Sequence, residues 1–189
     1  DCVPGKFKNL DVCIECPIGF AQSDTDQSSC TQCVKGNEAP EKSSSFCTAC
    51  DLGKYNPMDG DLCLACPIGQ YQDGKGQTTC LECDIDTYSN EEGKASKADC
   101  TSCSKDRSTG ITTGSTDASA CLCKRTDYYQ DEHNNCQTCP EGADCSFKDG
   151  ITMEHLFARP GYWRSSNATD QFQSCADAYY TSDRLTIAA

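Results

Sequence analysis

Cysteine doublets recur along this chain at nearly constant spacing, and that pattern decides what the chain can fold into. Pairs of the form C-x-x-C stand at Cys13/Cys16, Cys30/Cys33, Cys47/Cys50, Cys63/Cys66, Cys80/Cys83, Cys100/Cys103 and Cys136/Cys139, with a tighter C-x-C at Cys121/Cys123. Successive doublets begin 17, 17, 16, 17, 20, 21 and 15 residues apart. A repeat this short cannot bury an apolar face by itself, so its neighbours must stack on it. The chain opens with C-V-P-G-K-F from Cys2, the second half of a doublet, which reads as a cut from a longer array. Residues 13–33 and 63–83 share C-x-x-C-P-I-G, a Gln and a closing C-x-x-C at an offset of 50, which points to duplication in blocks of three units.

Composition explains why the cysteines matter. Val, Ile, Leu and Phe together number 24 of 189 residues, and the net charge is −13. Such a chain would ordinarily stay disordered. Nineteen cysteines reverse that expectation, because crosslinks take the place of the missing core. The core of a globular enzyme of this length is excluded. A pI near 4.4 argues against nucleic acid and anionic lipid as partners. No stretch approaches the ~20 apolar residues of a membrane span, so no membrane contact is expected of this segment. The polar opening at Asp1 does not read as a signal peptide.

A small motif follows the second cysteine of a doublet: C-P-I-G-F from Cys16, C-D-L-G-K-Y from Cys50 and C-P-I-G-Q-Y from Cys66. The Gly is lost but Tyr kept after Cys83 and Cys123. Glycine there supplies a positive φ for a tight turn, and the aromatic is expected to cover the disulfide. The next residues are polar and turn-rich, as in Asp73-Gly74-Lys75-Gly76. Each unit is therefore expected to be a small irregular hairpin closed by one bridge.

Two pairing schemes fit the spacing. A ladder joins the second cysteine of one doublet to the first of the next: Cys2–Cys13, Cys16–Cys30, Cys33–Cys47, Cys50–Cys63, Cys66–Cys80, Cys83–Cys100, Cys103–Cys121 and Cys123–Cys136. An interleaved scheme pairs adjacent doublets first-to-first and second-to-second. The ladder is favoured because it treats every unit alike, but sequence does not settle connectivity. Each ladder loop is worth ~3 kcal/mol by chain entropy. Cys139 is then expected to pair with Cys145, and Cys175 with a partner beyond residue 189. Zinc is the competing reading, since Cys13 to Cys33 and Cys30 to Cys50 both match C-x2-C-x13-C-x2-C. The acidity, the unbroken run of doublets and the recurring Gly-aromatic step speak against it. So does the glycosylation sequon Asn167-Ala168-Thr169, which points to the secretory route. No metal and no cofactor are expected.

Residues 100–142 carry a more specific signature: C-T-S-C, a Ser/Thr-rich loop, C-L-C-K-R-T-D-Y-Y, then C-Q-T-C-P-E-G. This resembles the cysteine-rich repeat of ephrin-type receptor tyrosine kinases, related to the first module of tumour-necrosis-factor-receptor repeats. The resemblance covers about residues 2–145. It implies a bond between the cysteine before the Gly-aromatic step and the cysteine after it, which supports the ladder. Large cell-surface glycoproteins of algae and protists carry long arrays of this kind, some followed by a segment resembling Gly161-Tyr162-Trp163-Arg164. Gly is missing after Cys83, Cys103 and Cys123, and receptor signalling is not implied.

Residues 146–189 break the rhythm and are expected to be irregular and aromatic-containing, with a short helix over residues 152–159 capped by Thr152 and stopped by Pro160. The Gly161-Tyr162-Trp163-Arg164 cluster reads as the apolar closure of the array, or alternatively as a docking patch. Catalytic residues are expected to be absent. His133 and His155 lie in unlike contexts, and the acidic pairs Asp24/Asp26, Asp59/Asp61 and Asp84/Asp86 read as solvated turns. No calcium loop or phosphate loop occurs. The Ser/Thr-rich stretch 101–119 is a polar hairpin or an O-glycosylated loop.

The expected fold is small and disulfide-rich, mostly irregular with short β-hairpins, in an elongated linear array. Residues 1–145 form about eight short units, the first truncated, followed by the segment 146–189. The expected function is a non-enzymatic extracellular rod or spacer, part of a large secreted or cell-surface glycoprotein and of a fibrous assembly. The alternative is an adhesin or receptor-stalk module. Expected partners are proteins (further copies or other surface proteins) or a glycan.

Overall fold

With so few apolar side chains, the backbone must find its hydrogen bonds close by, and it does so in hairpins. The computed structural model describes residues 1–176. Among these, short strands pair consecutively into ten two-stranded antiparallel sheets, joined in places by 3-10 turns at Lys97–Asp99, Ala118–Ala120 and Met153–His155. The chain divides into two compact units: Asp1–Ser102 with Thr113–Asp117, and Cys103–Thr112 with the residues from Ala118 on.

The first unit holds six hairpins, from Lys6–Asn9 against Val12–Glu15 to Thr87–Tyr88 against Thr101–Ser102. The glycine of each C-x-x-G corner organises the stack. Gly5, Gly19, Gly36, Gly53 and Gly69 take φ between +75° and +85°, where only glycine pays no steric penalty. Each glycine N–H donates to a carbonyl of the following repeat (Gln22, Ala39, Asn56, Gln72 and Ser89, at 2.7–2.9 Å). Each glycine carbonyl accepts from the second cysteine of the doublet that closes its own repeat (Cys16, Cys33, Cys50, Cys66 and Cys83, at 2.8–2.9 Å). The corners also press on the backbone two repeats along. A Cβ on any of the five would fall well inside 3.0 Å of the carbonyl oxygen of Ser43, Gly60, Gly76, Gly93 or Gly114.

The interior of this unit is sulfur and amide. Cys16, Cys33, Cys50, Cys66 and Cys83 are each at most 1 % exposed, whereas Cys13, Cys30, Cys47, Cys63 and Cys80 reach the surface. In five of the six repeats the third residue after the corner position is also buried: Gln22, Ala39, Asn56, Gln72 and, after Asp86, Ser89; after Gly5 it is the exposed Lys8. Burying an amide is tolerable only if it is bonded, and these are. Asn56 Nδ2 donates to the carbonyls of Asn37 and Asp61, both at 2.8 Å, while Asn56 Oδ1 accepts from Met58 N–H at 3.1 Å. Gln22 and Gln72 clamp their return loops alike, donating to Ser29 and Thr79 carbonyls at 2.7 Å and accepting from Asp24 and Gly74 N–H. No Val, Ile, Leu or Phe of the first unit is buried.

The second unit holds four hairpins: Arg107–Ser108 with Leu122–Cys123, Tyr128–Gln130 with Cys136–Thr138, Ala143–Asp144 with Phe157–Ala158, and Tyr162–Arg164 with Phe172–Ser174. Here a small apolar core does form: Tyr129, Cys145, Ile151 and Leu156, flanked by Cys139, Met153 and Phe172. The helix expected over residues 152–159 is not built. Only a single 3-10 turn forms at Met153–His155, and Thr152 makes no side-chain cap. Its Oγ1 meets His155 Nδ1 at 2.8 Å instead, and Phe157–Ala158 are drawn into pairing with Ala143–Asp144. The positive φ of the corner survives without glycine at Asp86 (62°) and Thr126 (80°). Tyr179 and Tyr180, which by sequence belong either to the aromatic cluster at 161–164 or to a next unit, lie outside the described residues.

Candidate functional site

Every doublet splits its two cysteines between different bridges. The structure joins Cys2–Cys13, Cys16–Cys30, Cys33–Cys47, Cys50–Cys63, Cys66–Cys80, Cys83–Cys100, Cys103–Cys121, Cys123–Cys136 and Cys139–Cys145, with Cα–Cα distances of 5.4–6.1 Å. Bridges thus follow one another in a linear series; the first eight each span the hairpin that starts at their own corner, and Cys139–Cys145 closes only the corner before Ala143–Asp144. A C-x-x-C whose two sulfurs are committed to different neighbours has no vicinal dithiol to cycle. Among the described residues no group of three or more His, Cys, Asp or Glu is placed to hold a metal ion.

One aromatic after a corner, Tyr71, acts across the repeat boundary. Tyr71 is buried against Cys83 and Cys100, the bridge of the following repeat, not against its own bridge Cys66–Cys80. The same side chain therefore shields one disulfide and glues two repeats. The aromatic thus covers a disulfide, as expected, and the bridge it covers is that of the next unit.

Cys175 is exposed and unbonded. Its N–H donates to Gly161 O at 2.8 Å, the bond that the second cysteine of a doublet makes to each of the five corner glycines of the first unit. Phe172, three residues earlier, stands opposite Arg164 where the first hairpin sets Cys13 opposite Lys8. The last described hairpin is therefore a repeat whose first half-cystine position is taken by Phe172.

Arg164 holds this end together. Its guanidinium donates to four backbone carbonyls: Thr169 at 2.6 Å, Leu156 at 3.0 Å, Met153 at 2.8 Å and Asn167 at 2.6 Å. The same group lies 5.2 Å from the centre of the Phe172 ring. Nothing in the sequence singled out Arg164 from its neighbours Tyr162 and Trp163. The apolar closure expected of this cluster is provided by other residues. Tyr162 rests on Gly142, while Trp163 stays 40 % exposed and does not join the core.

Asn167, the sequon residue, is exposed in the turn that Arg164 pins, at the rim of a shallow cavity of about 520 Å³. Asp131, Glu132, His133 and Glu154 line the same cavity. Asp131 is the one carboxylate there with a distinct environment. It accepts from Gln137 Nε2, from Asn135 through both side chain and backbone, and from His133 N–H, and these donors pull it down to about 2. The loop is an Asx-turn that consumes its own acceptors. His133 lies 3.9 Å from Glu132, and His155 Nδ1 meets the Thr152 hydroxyl. A second hollow, about 550 Å³, is lined by Thr109, Gly110, Thr112, Arg125, Asp127 and Asp149 among others. In the Ser/Thr-rich stretch, Thr109 and Ser115 are buried, while Thr112 and Thr116 are exposed.

On the exposed corners, Lys75 Nζ bonds Asp51 at 2.8 Å and holds that carboxyl below the usual range, and Lys97 pairs with Asp84 at 2.5 Å. The first pair connects a corner to the return loop of the next bridge, and the second joins a corner to the return loop of its own bridge, Cys83–Cys100. At this exposure each contributes little to stability.

Residues 53–93 and 69–121 match the family described as tyrosine-protein kinase ephrin type A/B receptor-like. The two matches overlap, which is what a repeat read in two registers gives. No curated protein matches the chain. The match and the nine bridges support a cysteine-rich repeat chain of ephrin-receptor-like type, a non-catalytic kind of module found outside cells. Among the described residues no helix is long and apolar enough to cross a membrane.

Proposed function

We propose that this chain is a non-enzymatic extracellular structural segment of a large secreted or cell-surface glycoprotein, working as a spacer within a fibrous surface assembly. The observation that carries this reading is the interior of the first unit: half-cystines and bonded amides where an enzyme would keep an aliphatic core and a pocket. Such an interior is stable only where disulfides persist, which means outside the reducing cytosol. The ephrin-receptor-like match supports the same compartment. Asn167 carries an N-linked glycan in this reading, and its exposure supports access by the glycosylation machinery.

The test is expression through the secretory pathway followed by intact mass before and after enzymatic deglycosylation, and by electron microscopy of the native material. Secreted protein with a glycan at Asn167, occurring in lateral or fibrous assemblies, is the expected result. Isolated monomers with no tendency to assemble contradict the structural role.

A second reading, a stalk or adhesin module that binds a partner protein, is favoured by one specific observation: the first unit's large aliphatics lie outside.

A further inference from the structure

The first unit holds fifteen Val, Ile, Leu and Phe residues. None is buried, and thirteen are exposed. Isolated surface aliphatics are ordinary, but these are not scattered. Six sit in the corner that follows the second cysteine in six consecutive repeats: Ile18 (48 % exposed), Leu52 (44 %), Ile68 (44 %) and Ile85 (52 %) two residues after it, and Val3 (58 %) and Val34 (62 %) directly after it. Ile14, Leu64 and Leu81 occupy a second recurrent position, directly after the first cysteine of a doublet. The hairpin register repeats from unit to unit, so equivalent residues recur at each step of the stack. The fold does not need them, since cystines and bonded amides fill its interior. Exposing them forfeits the stabilisation that burial would return, and recurrent apolar surface rimmed by polar groups marks an interaction site.

The electrostatics say what kind of partner fits. This unit has eight Lys/Arg against eighteen Asp/Glu, a net of −10 out of the chain's −13. Acidic side chains stand beside the aliphatics in sequence: Glu15 next to Ile14, Asp51 next to Leu52, Glu82 next to Leu81 and Asp84 next to Ile85. A second copy would set −10 against −10, and an anionic lipid or nucleic acid would be repelled in the same way. We propose that the corners of the first unit form a docking surface for a cationic protein segment that alternates Lys or Arg with aliphatic side chains. The apolar side chains of the segment cover the corner aliphatics, while its cations exchange with Lys75 and Lys97 on exposed carboxylates whose present pairs are worth little. This inference rests on the binding-module reading above and names its partner chemistry.

The test uses the full chain with its bridges verified by intact mass under non-reducing conditions, so that loss of fold and loss of binding are told apart. The probe is a short fluorescent peptide alternating lysine and leucine, with a lysine–glycine peptide and a glutamate–leucine peptide as controls, followed by anisotropy at physiological salt. The lysine–leucine peptide is expected to bind and both controls to fail. The combined variant Ile18→Ser, Leu52→Ser, Ile68→Ser and Ile85→Ser, all at exposed positions, is expected to weaken binding at least about tenfold while keeping all bridges. Unchanged binding by this variant overturns the proposal, as does equal binding of the lysine–glycine peptide, which would reduce the effect to bulk charge. A dimer in sedimentation at high salt that the variant abolishes also overturns it, because the occupant would then be a second copy.

Discussion

Replacing Gly19 by Ala tests whether close contact between repeats, and not merely turn geometry, holds the stack. Two costs combine. At φ +83° an alanine pays the left-handed penalty of ~1–2 kcal/mol. Its Cβ would also collide with the Gly60 carbonyl, a backbone group that cannot rotate away. Relieving the collision moves one strand off the other and loosens two bonds, Gly19 N–H to Ala39 O at 2.9 Å and Gly60 N–H to Cys33 O at 2.7 Å, worth ~1 kcal/mol each. The expected loss of local stability is about 3–4 kcal/mol. Gly161→Ala is the matched control: its φ is +88°, but among the described residues nothing lies within 4 Å of the added carbon, so only the left-handed penalty applies. The assay is native-state hydrogen exchange with all bridges intact, read at the backbone N–H groups of Gly60 and of residue 19 itself, where the Gly19 variant should exchange on the order of several hundred-fold faster. Equal effects from Gly19→Ala and Gly161→Ala would refute the close-contact argument, leaving only a turn that prefers glycine.

Three further perturbations probe other parts of the account. Asn56→Leu removes bonds to Asn37 O, Asp61 O and Met58 N–H from a fully buried site, and should lower the protection of the 54–65 hairpin by about 2–3 kcal/mol in the same exchange experiment. Thr126→Gly should stabilise its hairpin by about 1 kcal/mol, since a β-branched residue at φ +80° is strained and glycine is not; a denaturation midpoint that falls would count against it. Asp131 is held near 2, below its ordinary value, so its contribution is present above about pH 4 and is lost as the pH falls toward 2. Amide shifts of His133 and Asn135 should report local opening in that window, and shifts that titrate near the ordinary carboxylate value would contradict the hydrogen-bond assignment.

The parts of the molecule visible in the sequence are those set by local spacing. Doublets at nearly constant intervals and a Gly-aromatic step announced small hairpins in series, because a turn of that kind needs Gly5, Gly19 or Gly53 whatever surrounds it. Spacing alone left two bridge schemes open, since neighbouring cysteines lie at similar distances in either one. What stayed hidden depends on the adjoining repeat. The buried positions of Gln22, Asn56 and Gln72 look like ordinary loop polars until the next repeat covers them. Tyr71 serves the bridge one unit on. The 152–159 stretch has a plausible helical pattern, but its last residues are claimed by a strand that starts at Ala143, and a nonlocal pairing outweighs weak helix propensity. Arg164 was passed over because four backbone acceptors converge on it only after the end of the chain has folded.

The central claim is that covalent sulfur bridges do the work an aliphatic core does elsewhere. Hydrogen exchange of the six hairpins in the first unit, before and after phosphine reduction at neutral pH without denaturant, tests it most directly. The account predicts that protection disappears from all six once the bridges open, with no residual folded core. Protection retained in the reduced chain would contradict it.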